Sequence, residues 1–250
     1  MTTSDPFDGL SIHGRAAFFE DAMTLVVADL HVGREETSGV DFPLGEREDL
    51  LERLDALLAR FDPETVVLAG DVVHPFDRPS AGIRRTLVRI EETCRNAGVR
   101  PKLVAGNHDV ALASAWDGDV HETVVIEPAD AAEDDTPDVD ATRTVVCHGH
   151  AEPAERGDRY VIGHVHPMIV IEGDRRPCFL VGERTYRDGD LLVLPAFNRL
   201  APGVVVNDMS TDAFGSPLVT DADSLAPLVY DEAAQETLRF PALGRLRDLL

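Results

Sequence analysis

The sequence predicts an α/β fold, and three observations carry that prediction. Short β-branched runs recur just ahead of glycine and polar residues, as buried strands do. Amphipathic stretches of helical period separate the first three of these runs. After about residue 120 the chain turns strand-rich, which calls for a second sheet with antiparallel pairing rather than continued βαβ winding. The 250 residues, 44% hydrophobic, suffice for one sizeable core, and the expectation is a single domain over residues 1–250.

Taken in order, residues 24–28 (TLVVA) lead into Asp29-Leu30-His31, and residues 65–69 (TVVLA) into Gly70-Asp71. Residues 102–105 (KLVA) lead into Gly106-Asn107-His108-Asp109, residues 144–146 into Cys147-His148-Gly149-His150, and residues 160–162 into Gly163-His164-Val165-His166. Between the first runs, residues 46–61 place Leu50, Leu51, Leu54, Leu57 and Leu58 on one helical face. Residues 80–97 do the same with Ile83, Leu87, Val88 and Ile90, with Ser80 as N-cap and Gly98 as the stop. Residues 123–126, 169–171, 178–181, 191–194 and 203–206 read as short strands, and residues 231–250 as weakly helical. Phe18 and Phe19 read as core. Residues 33–45 follow the first motif directly and are placed to border the site. Residues 129–141 (ADAAEDDTPDVDA) are acidic and aperiodic, a solvated insertion.

Composition narrows the function. No apolar run reaches the ~18 residues of a membrane span, and the polar N-terminus lacks a signal-peptide layout, so the expected location is cytoplasmic. Cys94, Cys147 and Cys178 are odd in number and form no Cys-x-x-Cys, which speaks for ordinary thiols. The net charge is -23, and Lys102 is the one lysine. Acidic excess with arginine in place of lysine points to a halophilic proteome and away from broad electrostatic binding of nucleic acid or membrane surfaces. Arg84, Arg85 and Arg89 read as the solvated face of a helix, and Arg175-Arg176 as part of a hairpin turn.

In α/β sheets ligands gather beyond the carboxyl ends of the strands, so five strands ending in ligand-type residues point to one shared site. Asp29 with His31, and His164 with His166, stand two apart at strand ends, which directs each pair to one face. Asp71 follows a glycine that lets the backbone bend and exposes a carboxylate able to bridge two cations. Asn107 offers an amide oxygen and His148 an imidazole; His148 is preferred over His150 because it lies nearer its strand end. Seven oxygen and nitrogen ligands without a thiolate suit manganese, iron, zinc or related divalent ions. His74 divides evenly between a site-edge residue and an ordinary loop histidine, while His13 and His121 lack context.

The ordered series Asp-x-His, Gly-Asp, Gly-Asn-His-Asp, His, Gly-His-x-His over residues 29–166 resembles the calcineurin-like metallophosphoesterase superfamily. Residues 29–35 (DLHVGRE), 70–74 (GDVVH) and 194–198 (LPAFN) resemble its ICC-like branch, which includes DNA-ligase-associated phosphoesterases. The resemblance implies a four-layer α-β-β-α sandwich of two mixed sheets flanked by helices. It implies two divalent metal ions, manganese first, with iron, zinc or nickel as alternatives. Asp29, His31, Asp71 and His166 would hold one, and Asp71, Asn107, His148 and His164 the other. The implied chemistry is phosphodiesterase or nuclease-type hydrolysis by a metal-bridging hydroxide. His108 would stabilise or protonate the leaving oxygen, Asp109 would orient its imidazole, and Arg34 would grip a phosphate oxygen. The resemblance implies a phosphate-ester substrate, with nucleic acid or a nucleotide in view and a DNA-repair protein as partner. A phosphomonoesterase or nucleotide phosphatase on the same site, and a non-catalytic partner of a DNA-processing complex, are the alternatives.

Overall fold

The structure, a computed structural model, describes residues 7, 9–38, 44–75, 78–128 and 142–247. Its first sheet is mixed and has six strands in the order β1 (Leu10–His13), β2 (Ala16–Phe19), β3 (Thr24–Val27), β4 (Thr65–Ala69), β5 (Arg100–Val104) and β6 (Val120–His121). The first three are antiparallel; β3, β4, β5 and β6 run parallel. Helix α1 (Glu46–Phe61) joins β3 to β4, and α2 (Ala81–Asn96) joins β4 to β5.

The second half supplies β7 (Thr123–Ile126), β8 (Thr144–Cys147), β9 (Arg159–Ile162), β10 (Pro167–Ile171), β11 (Asp174–Pro177), β12 (Phe179–Tyr186), β13 (Gly189–Val193), β14 (Val204–Val205), β15 (Ala226–Asp231), β16 (Glu236–Arg239) and α3 (Leu243–Arg247). Seven of these strands form a second mixed sheet in the order β16-β15-β12-β13-β9-β8-β7, and β11-β10-β14 form a small third one.

Period-two alternation explains how the layers stack. In β4, Val66 and Leu68 face α1 and α2, while Val67 and Ala69 face the other sheet. In β13, Leu192 meets the first sheet, while Leu191 and Val193 point outward. Strands covered on both faces have no polar side to show, hence their unbroken aliphatic runs. The outer face of the second sheet is covered by α3, by the turns carrying Phe214 and Leu218, and by Ile169 of the small sheet. The fourth layer therefore holds little helix.

The helices form where their stripes predict, and Ser80 caps α2 by accepting from the Ile83 N–H at 3.0 Å. Val88 is a correction: it is 49% exposed, because the buried stripe runs Ile83, Leu87, Ile90, Cys94 and position 88 lies a further 100° round the helix. Residues 231–239 are a second correction. They form half of a β15–β16 hairpin turning at Gln235 (φ 56), and the only helix among the described residues beyond is α3. Arg175 and Arg176 lie in β11 itself, since the turn falls at Glu172-Gly173. Residues 39–43 and the acidic segment 129–141 lie outside the described residues. All three cysteines are free and buried, and burial pushes the thiols of Cys94 and Cys147 up to about 12. No helix of the described residues is long and apolar enough to cross a membrane.

Candidate active site

The loops after β3, β4, β5, β8 and β9 meet where the two sheets adjoin. The first sheet contributes Asp29, His31, Asp71 and Asn107; the second contributes His148, His164 and His166. Backbone bonds hold the loops in register: Asp29 N–H donates to Gly70 O, His31 N–H to Asp71 O and Val32 N–H to Val72 O. Across the sheets, the His164 N–H donates to Asp29 Oδ2 at 2.9 Å.

Strand alternation is not what aims the paired ligands. β3 ends at Val27 and β9 at Ile162, so both pairs sit in turns beyond their strands. Asp29 (φ 57), His31 (φ 43), Asp71 (φ 45), His164 (φ 67) and His166 (φ 51) all adopt the left-handed region. Each such residue costs on the order of 1–3 kcal/mol and persists only where the surroundings enforce it. Enforcement comes from Leu30 and Val165, which lie between the paired ligands and are buried in the two outer cores. Gly70 (φ 80) and Gly106 make room: a Cβ on the first would strike the His148 ring, and one on the second the Asp71 backbone and carboxylate.

The polar atoms fall into two groups that share Asp71. In one, His166 Nε2 lies 3.2 Å from Asp29 Oδ1 and 3.2 Å from His31 Nε2, which is 3.9 Å from Asp71 Oδ2. In the other, His148 Nε2 lies 3.1 Å from Asn107 Oδ1, 3.2 Å from His164 Nδ1 and 3.4 Å from Asp71 Oδ1. Ring nitrogens facing each other need a proton or a cation between them, and one N–H on His148 cannot serve three neighbours. Among the described residues no lysine or arginine pairs with Asp29 or Asp71, although both are buried. This oxygen and nitrogen set, without thiolates, fits divalent cations of the manganese, iron or zinc kind.

Protonation agrees with that fit. Burial holds His31 down to about 3 and His148 down to about 4, and burial also lowers His164, so these imidazoles are neutral as metal ligands must be. Burial pushes the Asp71 carboxyl up to about 7. Burial works against the charged forms of Asp29 and His166 as well, but their mutual attraction outweighs it, keeping the acid low and the imidazole high.

His108 stands beside both groups, its Nε2 3.8 Å from Asp71 Oδ2. Its Nδ1 meets the His74 carbonyl at 2.7 Å, an arrangement that requires the proton on Nδ1 and turns Nε2 toward the cluster. The orienting partner expected in Asp109 is thus a main-chain carbonyl. Asp109 lies behind, its carboxylate accepting from the N–H groups of Gly106, Val72 and Val73 at 2.8–3.1 Å. It clamps the Asn107 loop to the Asp71 loop. His74 belongs to the site edge: its ring stacks on His108 at 5.6 Å, and its Nε2 accepts from Arg34 at 3.3 Å. Arg34 thereby places the start of residues 33–45 at the rim. His150 is exposed, 5.2 Å from the His148 ring.

Two supports were not identifiable as such from sequence. The Asn198 amide donates to Leu30 O at 2.8 Å, His31 O at 3.3 Å and Glu46 Oε1 at 2.7 Å. The buried Glu46 carboxylate also accepts from the N–H groups of Gly33 and Arg34. Together they fix the turn that presents Asp29 and His31.

A cluster of carboxylates, imidazoles and one amide at the strand ends of two facing sheets defines a metal-dependent hydrolase. The chain belongs to the calcineurin-like phosphoesterase family, whose model matches residues 23–169, and it is accordingly a hydrolase of phosphate esters. Among solved structures it is similar to the nuclease MPE of Pseudomonas putida, with a TM-score of 0.57 and 24% sequence identity over 90% of this chain and 91% of that one. It is also similar to Yfce, a phosphoesterase from E. coli, with a TM-score of 0.41 and 15% identity over 88% of this chain and 98% of the other. The first is a likeness of fold; the second is too loose to carry argument. No curated protein matches the sequence.

Proposed function

We propose that the chain is a phosphodiesterase of nuclease type working with two divalent cations, manganese first. One observation carries this reading: Asp71 turns one oxygen toward the Asp29–His31–His166 group and the other toward the Asn107–His148–His164 group. A shared carboxylate between two half-sets of ligands is the arrangement a cation pair requires. The first cation falls to Asp29, His31, Asp71 and His166, and the second to Asp71, Asn107, His148 and His164. The nuclease named among the similar structures makes the diester the first substrate to try.

When bound, such a pair supplies Lewis-acid polarisation of the phosphoryl oxygens and acidifies water toward neutral pH. The protein's own groups do the rest. His108, with Nδ1 committed to the His74 carbonyl, presents Nε2 to the leaving oxygen, to stabilise or protonate it. Arg34, held against His74, grips a non-bridging oxygen. Asp109 keeps the Asn107 and Asp71 loops in contact. The acidic, arginine-for-lysine surface belongs with a cytosolic, high-salt setting.

The test is hydrolysis of bis(p-nitrophenyl) phosphate against p-nitrophenyl phosphate by metal-stripped protein with manganese added back in high salt. Turnover that needs metal, favours the diester and collapses in Asn107→Ala and His108→Ala is expected. Preference for the monoester would move the reading to a phosphatase. Inactivity of the folded protein with every divalent metal tried would refute it and bring the non-catalytic partner forward.

A further inference from the structure

A second feature stands apart from the cluster. Between the β1–β2 turn, α1 and the turn after β13 lies a cavity of about 320 Å³, none of whose lining residues is a proposed ligand. Three arginines from three segments line it: Arg15, Arg53 and Arg199. Two carboxylates answer them. Arg53 donates to Asp49 Oδ2 at 2.7 Å and lies 4.1 Å above the Phe197 ring. Arg199 donates to Asp49 Oδ1 at 3.1 Å and approaches Glu232 at 3.5 Å. Arg15 has no carboxylate within 4.0 Å among the described residues. Its hydrogen bonds there both leave from Nη1, to the carbonyls of Ala196 and Asn198 at 2.8 and 3.0 Å.

The cavity therefore carries an uncompensated positive charge in a chain of net charge -23. Burial, with Arg53 and Arg199 beside it, pulls the Arg15 guanidinium down to about 10, and the more distant Asp49 and Glu232 offset this only in part. A half-buried guanidinium held by carbonyls alone is costly as mere packing, because an apolar side chain would fill the same space without desolvating a charge. Guanidinium forks match the oxygens of a phosphate group. Beside them the half-buried Tyr230, hydrogen-bonded to His13 Nδ1 at 2.6 Å, and the exposed Ala56 give an apolar wall, while Phe197 lies buried beneath Arg53. Charge on one side and flat apolar surface on the other select a phosphate that carries an organic group.

We propose that this cavity binds an organic phosphate monoester, its dianionic head between Arg15 and Arg199 and its organic part against Tyr230 and Ala56. The site is independent of the metal-ligand cluster and of the reaction proposed for it. Calorimetric titration of the metal-loaded protein at fixed, high ionic strength tests it, with phenylphosphonate and inorganic phosphate as probes, since neither has an ester to cleave. Two phenylphosphonate sites per chain are expected. Arg199→Gln and Arg15→Gln each remove one and leave the other, and Arg199→Gln leaves the hydrolysis of the small diester unchanged. Asn107→Ala removes the other site only, so failure of the metal reading leaves this one visible. Phenylphosphonate binding at least fivefold tighter than inorganic phosphate at the arginine site supports the organic group; equal affinities overturn that part. A stoichiometry unaltered in both arginine variants, with circular dichroism intact, overturns the site. Should Arg15→Gln fail to fold, Arg199→Gln decides alone, because its side chain is half exposed and its carboxylate pairs lie at the surface.

Discussion

Replacing Asn198 by alanine tests whether the turn bearing Asp29 and His31 is held from behind. The side chain is 1% exposed, and its amide makes two short bonds, to Leu30 O and Glu46 Oε1, and one longer one to His31 O. Its Oδ1 accepts from the Leu200 N–H at 2.8 Å. Each bond contributes about 1 kcal/mol net, and a buried partner left unpaired costs about 1–3 kcal/mol. Leu30 O loses its side-chain partner and Glu46 one of its donors, so a loss of about 3–4 kcal/mol in unfolding free energy follows. The freed carbonyls belong to the turn that presents two ligands, and losing such outer support weakens metal affinity about 10–100-fold. Urea unfolding of metal-free protein should show a lower midpoint at unchanged slope, and a manganese titration of activity should shift to higher concentration. A variant within about 0.5 kcal/mol of wild type with unchanged manganese dependence would refute the reasoning.

Metal binding should be coupled to pH. The Asp71 carboxyl, raised to about 7, and the raised His166 imidazole hold protons that a cation must displace, so affinity rises as pH climbs toward and past 7. Calorimetry near pH 6 in buffers of different ionisation enthalpy should detect release of about one to two protons, and no release would sink this account. For the metal-free protein the lowered His148 has the opposite consequence to a raised group. Between about 4 and the unfolded value of 6.5 the unfolded chain binds more protons, so stability falls as pH drops through that window. His148→Asn should flatten the slope in urea midpoints measured across it. Gly70→Ala, with φ 80 and its Cβ against the His148 ring, should lose at least about 2 kcal/mol and bind metal poorly; a spectroscopic cobalt titration matching wild type would contradict this. On α2, Leu87→Ala should cost about 2–5 kcal/mol and Val88→Ala under about 0.5 kcal/mol, and the reverse order in thermal melts would overturn the register assigned to that helix.

The seven candidate ligands were legible because each follows an apolar run whose end the sequence marks, and only a few residue types donate to such ions. What aims them was not, since left-handed backbone at Asp29 or His164 is imposed by Leu30, Val165 and the neighbouring loops. His74 and Glu46 were hard to read for a related reason: their partners lie elsewhere in the sequence, the Arg34 and His108 side chains for the His74 ring and the Gly33 and Arg34 main chain for Glu46. The β15–β16 hairpin was misread because Glu232, Ala233, Ala234, Gln235 and Glu236 favour helix locally. Pairing of Phe179, Leu180 and Val181 with β15 overrides that preference. The β1–β2 hairpin lacked the signal that helped elsewhere, since the buried Ala16 and Ala17 give little hydrophobic contrast.

The division of the ligands between the two sheets has a consequence for how the protein matures. Neither sheet alone brings the cluster together: His166 meets Asp29 and His31 across the seam, and His148 and His164 meet Asn107 and each other there. On the proposed reading, a cation held by this cluster would favour the docked state, acting as a rivet across the seam and adding to the free energy of its closure. A chain caught with its layers apart would hold metal weakly and stay inert, and hydrolytic competence would appear only once assembly is complete.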